Sequence, residues 1–143
     1  MVLPVNKTLA AINRLMRGAV NQQIQHLNIR AAQSDLLLYI SDHPDLLQKD
    51  IARATCMDAS LLARDLRTLS QRGWVLRTPD LDDQRARRVR LTPEGVAVAA
   101  QLKDLAQGWW RTFAASHPEV DLETFAALAN DVFQALREGD RYA

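Results

Sequence analysis

Residues 82–95 read DDQRARRVRLTPEG: two adjacent aspartates, arginines at 85, 87, 88 and 90, then Thr-Pro-Glu-Gly. Two structural signals overlap here. RVRL (88–91) alternates charged and apolar residues, the period of a strand with one buried face. Thr92-Pro93-Glu94 then supplies a capping hydroxyl, a proline where a helix needs no N–H, and an acid near the positive helix end. Upstream, WVLRT (74–78) alternates in the same way, and the nine residues PDLDDQRAR between the two are too many for a tight hairpin. The expectation is a two-stranded ribbon with an extended polar tip, followed by a helix.

Working back from the ribbon, LLARDLRTLSQR (61–72) places Leu62, Leu66 and Leu69 on one helical stripe, with Gly73 as its terminator. Asp58 or Ser60 can cap it. LLQKDIARA (46–54) fits a shorter helix with Leu47, Ile51 and Ala54 on one side, after Pro44 ends an earlier helix containing LLLYI (36–40). The first helix, about 6–28 with Asn6 as cap, has its stripe at Leu9, Ile12, Met16, Val20, Ile24 and Leu27. A fifth helix from Pro93 carries Val98, Leu102, Leu105, Trp109 and Phe113, and a sixth carries Phe125, Leu128, Val132 and Leu136. The fold class is therefore mainly α with a small β-ribbon (α+β). A helix, a turn, a second helix and a basic ribbon form a winged helix-turn-helix at 31–92, flanked by helices in 1–30 and 93–143 whose apolar stripes call for a second copy of the chain.

The chain has 143 residues and a net charge of +1, but the charge is uneven. From Arg53 to Arg90 there are nine arginines against five aspartates, a net +4, so the rest sums to −3. Every basic residue in that window is arginine, whose planar fork suits phosphates, carboxylates and base edges; a solvated salt-bridge lattice is the competing reading. No apolar run approaches the ~18 residues of a membrane span and the N-terminus lacks a signal pattern, so the expected location is cytoplasmic. One cysteine and three scattered histidines provide no metal spacing, and there is no glycine-rich phosphate loop or nucleophile elbow. Neither a cofactor, a metal nor an enzymatic activity is expected.

These motifs resemble the MarR family (multiple antibiotic resistance regulators) over about Ile29 to Gly95. LQKDIARA is similar to its third helix, and LRTLSQRGWVLR to its Leu-x-x-x-Gly-x-Val-x-Arg exit from the recognition helix. The wing signature is matched by Asp83, Arg85, Val89, Leu91, Thr92 and Gly95. The sequence departs from the family at Leu47 and Leu61, where a small hydroxyl residue and a threonine are common. The resemblance implies a sequence-specific transcriptional regulator, a repressor, that binds a pseudo-palindromic operator in double-stranded DNA as a homodimer. It also implies release by a small aromatic or phenolic effector bound between the dimer helices and the DNA-binding lobe.

Within that reading the wing contacts are Arg85, Arg87 and Arg88, reaching phosphates or the narrow minor groove, with Asp83 as the salt-bridge partner of Arg85. On the recognition helix, Ser60, Ala63, Arg64 and Arg67 lie off the leucine stripe, and Arg64 is the choice for a guanine O6/N7 contact unless it pairs with Asp58 or Asp65. Gln48 and Lys49 face backbone phosphates. The candidates for the effector site are Arg14, Arg17, His26, Arg30, Trp109 and Trp110, for which helix packing is the competing reading. Two other functions stay open: a winged-helix module for protein or RNA, and a redox-responsive regulator acting through Cys56.

Overall fold

The computed structural model describes residues 4–139. Helix α1 spans Val5–Ile24 and tightens into a 3-10 turn at Gln25–Leu27, closed by Asn28 with φ 48°. It begins before Asn6, because the Pro4 carbonyl accepts both the amide and the hydroxyl of Thr8 (3.1 Å each). Proline lacks a donor, which a position just ahead of a helix does not need. Helix α2 (Ala31–Asp42) follows, with the Arg30 N–H donating to the Gln33 side chain (3.2 Å).

Leu46 and Leu47 do not open the next helix. They form a two-residue strand, β1, and helix α3 occupies Gln48–Thr55. After Cys56, held at φ 58°, Asp58 caps helix α4 (Ala59–Gln71) by accepting the N–H groups of Ser60 (2.9 Å) and Leu61 (3.1 Å). Gly73, at φ 78°, ends α4 in the conformation that glycine adopts most readily. Strands β2 (Val75–Pro79) and β3 (Arg87–Leu91) then pair antiparallel, with Val75 opposite Leu91 and Pro79 opposite Arg87.

The ribbon is thus part of a three-stranded antiparallel sheet of order β1-β3-β2, with Leu46 opposite Val89 and Leu47 opposite Arg88. Asp45 makes the third strand possible. At φ 65° it turns the chain, its carbonyl accepts from Arg88 (2.8 Å), and its carboxylate accepts from Arg90 (2.8 Å).

Helix α5 (Pro93–Ser116) starts from a short hydrogen-bond relay. The Thr92 hydroxyl donates to the Gly73 carbonyl (2.6 Å) and accepts the Gly95 N–H (3.0 Å), while the Thr92 N–H donates to the Trp74 carbonyl (3.0 Å). A Cβ at Gly95 would lie 2.0 Å from that carbonyl oxygen. The Thr-x-x-Gly pattern is therefore a capping hydroxyl plus a backbone approach that any side chain blocks.

The chain divides into two compact units, one extending to Gln107 and the other beginning at Gly108, with α5 contributing to both. In the first unit Ile24 of α1 and Leu102 of α5 are buried with Leu36, Leu37, Ile40, Ile51, Leu62, Leu66, Leu69, Val75 and Val89. Burying each such leucine or isoleucine contributes about 2 kcal/mol. The second unit comprises the end of α5 and helix α6 (Leu122–Glu138), capped by Asp121, which accepts the Thr124 N–H (3.1 Å) and hydroxyl (2.5 Å). No described helix is long and apolar enough to cross a membrane.

Candidate nucleic-acid interface

The first unit gathers α3, α4 and the loop between β2 and β3 around one open cleft of about 380 Å³. Gln48 and Lys49 enter it from the first turn of α3, Ala59 from the first turn of α4, Asp83 and Arg85 from the loop, and Arg87 from the start of β3. Five residues singled out from the sequence thus meet at one place. Lys49, Arg85 and Arg87 are exposed, whereas the Oε1 of Gln48 is buried without a hydrogen-bond partner among the described residues.

Along α4, Leu62, Leu66 and Leu69 face the core, as their spacing requires, so Ser60, Arg64 and Arg67 are exposed and Ala63 is half-buried. Among the described residues Arg64 has no ion pair, with either Asp58 or Asp65: Asp58 caps the helix and Asp65 is buried. The outward face of α4 is therefore short-chained at its start and carries two arginines further on.

The loop geometry corrects the expected pairing of Asp83 with Arg85. Asp83 Oδ1 accepts the backbone N–H of Arg85 (3.0 Å), an aspartate turn of the local kind that short acids form two residues ahead. No ion pair joins their side chains among the described residues, so Asp83 shapes the backbone and leaves the guanidinium to solvent. Arg88 is corrected too. Its Nε donates to Asp80 Oδ1 (2.7 Å) and its Nη1 to the Asp45 carbonyl (2.8 Å), which anchors it to the sheet.

Asp80 is the hub that sequence reasoning missed. It is nearly buried, accepts the Asp83 N–H on Oδ2 (3.2 Å), and sends its own N–H to the Ala86 carbonyl (3.0 Å). The Arg88 hydrogen bond, above all, holds its carboxyl below the ordinary aspartate value of 3.8. Asp80 therefore stays ionised and keeps the loop closed beneath Arg85. Its sequence signal was an aspartate directly after Pro79 at the start of the loop, where such turns begin.

The expected effector residues are distributed over both units and engaged locally. Arg17 pairs with Asp35 (2.5 Å), Arg30 with Asp65 (2.8 Å), and Gln101 donates to His26 Nε2 (3.1 Å). Arg14 is exposed. Trp109 and Trp110 meet edge to face at 4.7 Å and both approach Phe113, and Trp110 lines an apolar hollow of about 370 Å³ with Leu122, Phe125 and Ala126. Cys56 is exposed, and its Sγ lies 4.0 Å from the Arg53 carbonyl. No cluster of histidine, cysteine and acidic residues suited to a metal occurs among the described residues.

A helix pair presenting the exposed face of its second member beside an arginine-bearing loop is the winged helix-turn-helix arrangement. The MarR family model matches residues 29–86, from the approach to α2 to the tip of the loop. Over that segment the chain is similar to the MarR family. Its similarity to the multiple antibiotic resistance protein MarR of Escherichia coli (strain K12) is 28% identity over 104 residues, covering 73% of this chain and 72% of that protein. A crystal structure of MarR superposes with a TM-score of 0.84 at 24% identity, over 95% of this chain and 93% of the other. A cysteine-to-serine mutant of MarR from E. coli, in complex with operator DNA, superposes with a TM-score of 0.74 at 24% identity, over 94% of each chain. MarR-family proteins are DNA-binding transcription regulators, not enzymes, and the mainly helical body with a small antiparallel sheet agrees with that likeness.

Proposed function

We propose that this chain is a homodimeric repressor that binds a pseudo-palindromic operator through residues 31–92 and dimerises through the helices of 1–30 and 93–143. The outermost residues, 1–3 and 140–143, lie outside those described. The observation that carries the reading is the cleft where the first turns of α3 and α4 meet the wing arginines, beside an exposed α4 face bearing Arg64 and Arg67. With α4 in a major groove, Arg64 reaches guanine O6 and N7, Ser60 and Ala63 lie against base edges or the backbone, and Arg67 meets phosphate. Arg85 from the loop and Arg87 from the start of β3 extend to the adjacent minor groove or its phosphates, Gln48 donates a hydrogen bond to phosphate and Lys49 neutralises phosphate from α3.

Dimerisation is supported by the apolar surface of α6, where Leu128, Val132 and Leu136 are each more than half exposed. Large contiguous apolar faces of this kind mark protein contacts. Two copies would set their recognition helices about 34 Å apart, one turn of DNA. The hollow beside Trp110 has the apolar and aromatic lining that a small aromatic effector needs, and Trp110 fluorescence would report its entry.

The test is a shift assay with the intergenic DNA next to the gene for this chain against a scrambled duplex of equal length. Strong preference for the intergenic duplex is expected, and equal binding to both refutes the reading. In the same assay Arg85→Ala should reduce the slope of log K against log salt by about one unit.

A further inference from the structure

Asp65 is out of keeping with its place. It stands among Leu62, Leu66 and Leu69 on the inward side of α4 and is 1% exposed. Its Oδ1 accepts from Arg30 Nη2 (2.8 Å) and Gln33 Nε2 (3.3 Å), while its Oδ2 is buried with no partner among the described residues. A carboxylate in such surroundings is tolerated only while its cation remains in place, so the pair resists any motion of α4 that separates them.

A second joint lies seven residues further along. Arg72, at the end of α4, donates to the carbonyls of Leu27 and Asn28 (2.6 Å to the latter), and its guanidinium sits 4.0 Å over the Trp74 ring. Seven residues are two helical turns, about 10.5 Å, so Asp65 and Arg72 lie on the same side of α4. Both joints reach the segment between α1 and α2: Arg72 to its carbonyls, Asp65 to the side chain of Arg30. Leucine packing is non-directional and lets a helix roll by small amounts, whereas charge-assisted hydrogen bonds fix an angle.

We propose that Arg30, acting through Asp65, is a positioning residue that sets the roll of the recognition helix and thereby operator selectivity. Arg64 precedes Asp65 and stands about 100° from it around the helix axis. Fixing the roll at Asp65 therefore fixes where Arg64 meets the base edges, although neither Arg30 nor Asp65 touches DNA. Phosphate contacts tolerate a small roll because they carry no sequence information, whereas bidentate base contacts do not. The inference rests on the operator-binding reading above.

The experiment measures Kd for the intergenic duplex and the scrambled duplex with the full chain and takes their ratio. The double variant Arg30→Met/Asp65→Met removes both charges together, so that no buried carboxylate is left without its cation. The expected result is a folded variant whose ratio falls tenfold or more, while Kd for the scrambled duplex changes less than twofold. A folded double variant with its ratio within twofold of wild type overturns the proposal. Where the double variant does not fold, Arg30→Lys and Arg30→Gln carry the test, because the Arg30 side chain is 57% exposed and both residues fit there. Lysine, which keeps the charge, should hold the ratio within threefold and glutamine should lose it; equal ratios in the two overturn the proposal. A wild-type chain that does not distinguish the duplexes removes the operator reading and this inference with it, an outcome separate from a selective wild type whose variants stay selective.

Discussion

Helices α4 and α6 carry the same kind of sequence and meet opposite fates. Each is amphipathic, each is capped by an aspartate, and each repeats large apolar residues at helical spacing. In α4 the stripe disappears into the core, with Leu62, Leu66 and Leu69 no more than 1% exposed. In α6 no residue is buried, and Leu128 and Val132 are 59% and 57% exposed. An apolar stripe thus announces a need for a partner without saying which chain provides it. Sequence neighbours satisfy α4, because α2, α3 and the sheet are short and close by; the stripe of α6 stays exposed in the described chain.

The comparison can be broken most forcefully at Gly95, the backbone contact on which the first unit depends. Gly95→Ala would drive a Cβ into the Trp74 carbonyl, and a loss of about 3 kcal/mol or more is expected in chemical denaturation. A loss below about 1 kcal/mol would mean that α5 can shift at little cost. The next test uses one change in both helices. Leu66→Ala should destabilise by about 3 kcal/mol at any protein concentration. Leu128→Ala should change stability by less than about 0.5 kcal/mol in dilute monomer, but should weaken self-association at least tenfold in sedimentation. Equal, concentration-independent losses for the two would erase the contrast.

The smallest effect concerns Asp80. Its folded pKa is depressed, so its ionised form favours the folded loop at pH values above the ordinary value of 3.8, and that stabilisation is lost as the pH falls below it. At neutral pH Asp80→Asn should therefore give a modest decrease in melting temperature and raise amide hydrogen exchange at 80–86. A mutant whose acid-side decline in stability matches that of the wild type would show that Asp80 has no part in it.

Most of the helical architecture was legible because period 3.6, Pro93, Gly73 and the aspartate caps are local signals. Strand β1 was not, since two leucines ahead of a helix look like its first turn; pairing with Val89 and Arg88, more than forty residues away, decides their state. The positions of Arg85 and Arg87 followed from counting residues out from the two strands. The roles of Arg88, Arg30 and Asp83 did not, because arginine reaches far enough to pair with residues distant in sequence and aspartate competes for backbone N–H groups. Asp65 did leave a trace: an acid on an otherwise apolar helical face implies a cation opposite it.

The sheet has one more consequence. A free strand edge offers unpaired N–H and C=O groups to any extended chain and is a route to aggregation. One edge here, β1, is only two residues long, and the other, β2, ends in Pro79, which has no N–H to offer. Both edges are therefore poor templates for a fourth strand.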